Sequence, residues 1–168
     1  MALIVEDGTL VLSANSYRDL DDIKAYAEAR GVDLGMDDDA IEVWSNKAIA
    51  FLESKRKEYQ GTKVISTQSL QFPRVDLTID DFDFPSTEIP SLIADAQCQL
   101  IVEQCLGVDI MPTQKEPAIK SEKIGPIQTD YAVNPGNFFT PFIASVETLL
   151  EPLFKSNTSE FGIRFLRV

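Results

Sequence analysis

Apolar side chains recur at three- and four-residue steps in four stretches of the chain, and each stretch predicts a helix with one buried face. In the first, Leu20, Ile23, Tyr26 and Ala27 form the stripe. Asp19 is placed to cap it, with Asp22 three residues on, and Gly31 stops it. The second starts within Asp37-Asp38-Asp39 and extends to Tyr59, closed by Gly61. Its apolar face is Ile41, Trp44, Ala48, Phe51, Leu52 and the stem of Lys55. The third takes Pro90 as its first helical residue and reaches Leu106 before Gly107. Leu92, Ile93, Ala96, Leu100, Ile101 and Val102 line its face, extended by Cys98 and Cys105. The fourth begins at Thr140-Pro141 and runs to Phe154, with Pro152 expected to distort its last turn.

Elsewhere the pattern shortens to alternation. Lys120 to Tyr131 places two such runs about Gly125-Pro126, the form of a β-hairpin. A lone hairpin is marginal in water. It is therefore expected either to be offered to a neighbouring molecule or to fold onto its own helices. Phe161 to Val168 alternates apolar and basic residues like a strand, preceded by the hinge-like Asn157-Thr158-Ser159. Residues 1–15 are expected to be extended, with a turn at Glu6-Asp7-Gly8-Thr9. Thr62 to Pro90 is expected to be a loop, in which acids alternate with Leu77, Ile79, Phe82 and Phe84 and the aromatics hold it to the helices. The fold class expected is mainly α: a bundle of about four helices with one β-hairpin and extended N- and C-terminal arms. One domain covers residues 1–160, including the hairpin at 118–132, and residues 161–168 form a docking arm.

Composition narrows the chemistry. A chain of 168 residues with 44% hydrophobic residues is expected to form one domain with a real core. No apolar run spans a bilayer and the first residues lack a basic leader, so neither a membrane span nor secretion is expected. Cys98 and Cys105 lie ~10 Å apart along one helix, too far for a disulfide within it, and reduced thiols are expected. There is no histidine, which removes the commonest general base and the usual nitrogen ligand of zinc. No glycine-rich phosphate loop occurs either. Asp37-Asp38-Asp39 suits a helix N-terminus rather than a calcium loop, and Asp80, Asp81 and Asp83 are expected to be solvated acids rather than a magnesium site. No enzyme activity, cofactor or metal is expected.

The charge balance is −12, from 27 acids against 15 Lys and Arg. Between Val75 and Gln114 stand eight acids and no basic residue. Affinity for nucleic acid begins with cations that neutralise phosphates, so much of this surface is expected to repel a phosphate backbone. The one dense basic run, Lys55-Arg56-Lys57, fans around a helix and is expected to be a solvated helix end.

An ordered set of short motifs resembles a known family. It runs Glu6-Asp7-Gly8-Thr9, Ala14-Asn15-Ser16-Tyr17, Tyr26 with Arg30-Gly31, Gly61-Thr62, Gln68 through Arg74, Ile89-Pro90, and Lys120 through Ile127 with Tyr131. Together these cover about residues 3 to 131 and resemble a phage family labelled DnaT-like single-stranded-DNA-binding protein. Such proteins are similar to head–tail connectors (adaptors) of long-tailed phages. The chain departs from the family pattern at Trp44 and across the acidic 76–84 segment.

The resemblance implies a virion structural protein of the phage neck, made in the host cytoplasm. It would form a cyclic homo-oligomer, a dodecamer below the portal protein, and present a platform to the next neck or tail-completion protein. Packaged double-stranded DNA would pass through its lumen without specific binding, which an acidic wall favours by repulsion. The alternative is a replication accessory protein that binds single-stranded DNA. For the connector, the expected subunit and portal contacts are Lys120, Lys123, Ile124 and Ile127 on the hairpin. Phe161, Ile163, Arg164, Phe165 and Arg167 supply the rest from the arm, whose eight residues reach ~26 Å at ~3.3 Å each. Docking on the portal or a neighbouring subunit is expected of that arm, with packing on its own hairpin as the other possibility.

Overall fold

The computed structural model describes residues 2–112, 121–124, 127–130 and 142–155, the stretches between 121 and 130 by their backbone alone. Four α-helices are present among them: α1 (Leu20–Glu28), α2 (Asp38–Ser54), α3 (Ser91–Cys105) and α4 (Ala144–Leu150), the last followed by a 3-10 turn at Glu151–Leu153. Local signals set their starts. The Asp19 carboxylate accepts from the Asp22 amide at 2.8 Å, and Asp37 accepts from Ala40 at 2.9 Å. Pro90 precedes the first turn of α3 by one residue, with an extended ψ of 132°. Pro152 sits in the 3-10 turn, where it ends α4 as expected.

The expected four-helix bundle with extended arms does not describe this molecule. α4 is seven residues long, and three two-stranded antiparallel sheets interrupt the helical pattern. β1 (Thr62–Lys63) pairs with β2 (Arg74–Val75), and β3 (Leu77–Ile79) pairs with β4 (Phe82–Phe84). β5 (Ser121–Ile124) pairs with β6 (Ile127–Asp130), with Ile124 opposite Ile127. That last pairing is the hairpin expected about Gly125-Pro126, whose own two residues lie outside the described ones.

The stretch from Thr62 to Pro90, expected as loop, holds the other two sheets. Asp80 and Asp81 take φ of 52° and 66° and form the two-residue turn of the β3–β4 ribbon. Successive left-handed residues match the natural twist of a hairpin, and Asp tolerates that region better than most side chains. The alternation of acids with Leu77, Ile79, Phe82 and Phe84 was therefore a strand signal.

The N-terminal segment is folded onto the body, not extended as an arm. The Glu6 amide donates to Ser16 O at 2.8 Å and Asn15 to Ile4 O at 2.9 Å, so the chain doubles back on itself. Gly8 has φ 102°, and a Cβ there would lie 2.1 Å from the Thr87 carbonyl oxygen, so this turn is wedged against a second loop. α2 also stops at Ser54, short of the expected Tyr59. The intervening residues turn, and Tyr59 swings inward with its hydroxyl donating to Leu52 O at 3.0 Å.

α2 and α3 enclose the core through Ile41, Ala48, Phe51 and Leu52 against Ile93, Leu100 and Ile101, all at most 2% exposed. α4 closes it with Val146 and Leu150. Burying a side chain of this size contributes about 1.5–3 kcal/mol, so these contacts dominate the stability of the fold. Lys55, expected as a solvated helix end, turns inward instead: its Nζ meets Glu147 Oε1 at 2.6 Å, tying the end of α2 to α4.

Candidate functional site: an acidic cleft beside a buried polar junction

Two of the motifs in the family resemblance, Ala14–Tyr17 and Gln68–Arg74, meet at one internal junction. The Gln97 side chain, fully buried on α3, accepts from the Tyr17 amide at 2.8 Å. Its amide nitrogen donates to Ser16 Oγ at 2.6 Å and to Ser45 Oγ at 2.7 Å, joining the N-terminal loop to α3 and α2. The Tyr17 hydroxyl accepts from the Phe72 amide at 3.2 Å. Phe72, with no exposed surface, packs edge-on to Tyr17 and Tyr59, with ring centroids 6.5 and 5.1 Å away.

Arg74 completes this junction. Its Nε donates to Gln60 O at 2.6 Å and one terminal nitrogen to Gly61 O at 2.8 Å. The other nitrogen reaches both Gln71 O and Gln71 Oε1. Burial lowers the guanidinium pKa below its ordinary value, opposed by the nearby Tyr59, Tyr17 and Glu53. Burial likewise raises the Tyr17 and Tyr59 hydroxyls above theirs. Gln68 donates to Leu70 O and Pro73 O, across the cis Phe72-Pro73 bond. Among the described residues, no buried side-chain nitrogen or oxygen lacks a hydrogen-bond partner. The Glu6-Asp7-Gly8-Thr9 turn is built in the same way: the buried Glu6 carboxylate accepts from the amides of Gly8, Leu10 and Val11, each at 3.0 Å. These motifs hold the fold together and present little to a ligand.

Most of the cations are likewise paired within the molecule, several of them at its surface. Arg18 meets Asp22 and Asp95, and Lys24 meets Asp38 at 2.6 Å. The Arg30 guanidinium lies 3.3 Å from the centre of the Tyr26 ring. Lys63 donates to Gln68 O, and Lys155 Nζ to Lys57 O at 3.0 Å. With Lys55 and Arg74 buried as well, Lys47, Arg56 and Lys57 are the only Lys or Arg without such a contact among the residues whose side chains are described.

The open concavity lies on the other side of Arg74's anchor points. A cleft of about 950 Å³ opens between the Gln60-Gly61 turn, the β3–β4 ribbon and the segment after α4. Asp76, Asp80, Asp81 and Glu151 give it negative charge; Pro152 and Phe154 give it apolar surface; Lys155 is its one cation among the described residues. Gly61 is required where it stands: φ is 61°, and a Cβ would lie 2.0 Å from Val75 O. The cleft's walls are fixed to each other, since Gln60 donates from its backbone to Leu153 O at 2.9 Å and from its side chain to Pro152 O at 2.8 Å. Beside it the ribbon carries Phe82, 78% exposed, opposite Ile79. Leu77 and Phe84, the next pair on the same face, pack on the core, so this apolar face runs from buried to open along the ribbon. The sequence reading did not assemble this cleft, because its parts are distant in the chain; the acidic alternation at 76–84 was the signal for one wall.

Of the contact residues expected from sequence, Lys123, Ile124 and Ile127 lie on the paired strands β5 and β6. Their side chains lie outside the described ones, as do Lys120, Phe161, Ile163, Arg164, Phe165 and Arg167 altogether. Among the described residues no group of three acids and cysteines is arranged to hold a metal ion, and no helix is long and apolar enough to cross a membrane.

No curated protein and no solved structure matches this chain. A family model described as "Putative DnaT-like ssDNA binding protein" matches it over residues 1–168. With the match spanning the whole chain, the chain belongs to this DnaT-like family.

Proposed function

We propose that the protein is a non-enzymatic assembly component: a head–tail connector that forms a closed ring, a dodecamer, beneath a phage portal and continues the DNA channel toward the tail. One observation carries this reading, the placement of charge. Cations on the described surface are mostly bound to the protein's own acids, carbonyls and rings, while the cleft and ribbon present acids. A single-stranded-DNA binder needs a basic groove with stacking aromatics. Here the aromatics Tyr17, Tyr59 and Phe72 are buried, and exposed Phe82 stands between Asp81 and Asp83. A wall that must let DNA slide past without holding it benefits from such repulsion. The portal and the next neck or tail-completion protein are the partners proposed, with the virion neck as its location.

The second reading is a single-stranded-DNA-binding replication accessory protein, and the family description favours it. One pair of measurements separates the two. The connector reading expects the protein in purified virions at a fixed number of copies per portal, and no binding of oligonucleotides at physiological salt. Absence from virions, together with micromolar DNA affinity that falls steeply with added salt, would replace it with the second reading.

A further inference from the structure

We infer that the acidic cleft is the receptor for residues 161–168 of a second copy of this chain. This rests on the self-assembly part of the reading above and adds the contact that joins the copies.

The cleft combines two chemistries in one open space of about 950 Å³: carboxylates at Asp76, Asp80, Asp81 and Glu151, and apolar surface at Pro152 and Phe154. An occupant must therefore be basic and apolar by turns. Phe161-Gly162-Ile163-Arg164-Phe165-Leu166-Arg167-Val168 has that composition, with two arginines, no acid and apolar residues between them. In a chain of net charge −12 it is the one eight-residue stretch that holds two basic residues and no acid. The last described residue, Lys155, lines the cleft, so the chain leaves the body at the cleft's rim. Residues 156–160 can span up to ~17 Å at ~3.4 Å each, enough for residues 161–168 to reach a neighbouring copy. Each copy then donates one segment and receives one, a head-to-tail contact that closes into a ring under the right rotation.

Charge exchange on the full chain tests this. The receptor variant combines Thr78→Lys, Glu151→Lys, Asp80→Asn and Asp81→Asn; Asn keeps the left-handed conformation that the ribbon turn requires. The donor variant combines Arg164→Glu and Arg167→Glu. Wild-type protein should sediment as an oligomer, and each variant alone should fall to its 18.7 kDa monomer with unchanged circular dichroism. Mixing the two variants should restore the oligomer, because each then meets a partner of opposite charge. If the receptor variant does not fold, Thr78→Lys with Glu151→Lys, both at exposed positions, replaces it.

A wild-type monomer, or an oligomer untouched by the donor variant, would overturn the contact. A monomeric donor variant whose lowered melting temperature is recovered by combining both sets of changes on one monomeric chain would place the segment in its own cleft and also overturn it. Because the readout is rescue on mixing, it fails or succeeds independently of whether the protein is found in virions.

Discussion

The junction around Arg74 and the ribbon around Phe82 are near neighbours in sequence and opposite in construction. At the junction, polar groups are buried and each is matched: Arg74 alone satisfies the carbonyls of Gln60, Gly61 and Gln71. On the ribbon, Phe82 is 78% exposed and the flanking carboxylates face solvent. A matched buried network specifies one arrangement of the chain, because any displacement leaves a donor or acceptor unpaired in low dielectric. An exposed aromatic among acids contributes little to folding and is free to serve an interface.

The strongest way to break this contrast is to remove the guanidinium. Arg74→Leu strands three carbonyls that it now serves, and should cost about 4 kcal/mol at ~1–3 kcal/mol for each unsatisfied buried group. Urea unfolding followed by circular dichroism measures it. A loss under about 1 kcal/mol, the size of an ordinary surface substitution, would mean that water replaces the arginine and that the junction is not the framework.

A smaller effect comes from alkaline pH, which acts on the buried side only. Burial raises Tyr17 and Tyr59 above their ordinary 10.0, and pushes the Cys98 thiol up to about 12 from 9.0. The folded state therefore holds these protons after the unfolded state has released them. Their contribution is complete below about pH 9 and declines as pH rises toward 12, at about 1.4 kcal/mol per pH unit for each group still protonated only when folded. Urea midpoints measured from pH 8 to 10 should fall once pH 9 is passed, and Cys98 should react with a thiol reagent only on unfolding. A flat profile would show that the junction opens to solvent at little cost.

Phe82→Ser should have the smallest effect on the fold, within ~0.5 kcal/mol of wild type, as for exposed sites generally. A loss of 2 kcal/mol or more would mean that the ring packs in solution and that the ribbon belongs to the framework after all.

Much of this architecture was legible along the chain. The starts of α1 and α2 follow from Asp19 and Asp37, whose carboxylates satisfy amides that the helix itself leaves open. The apolar faces of α2 and α3, the end of α4 at Pro152 and the pairing across Gly125-Pro126 are likewise local, since each depends on residues within a turn or two. Net charge and the absence of histidine were available at once, and with them the scarcity of familiar catalytic chemistry.

What the sequence by itself determined was therefore the periodic elements and the sign of the surface. Only the tertiary structure decided which polar side chains go inside. Gln97 stands on an apolar helix face and Arg74 in a polar stretch, and neither position announces a buried hub. Their partners are supplied by remote segments, Tyr17 at 80 residues from Gln97 and Gln60 at 14 from Arg74. The same holds for the end of α2, set by Tyr59 turning into an aromatic cluster, and for the cleft, whose walls come from residues 60–61, 76–81 and 151–155. Periodicity records how each element meets water. Burial of a polar group depends on a partner arriving from elsewhere, and that information exists only once the chain has folded.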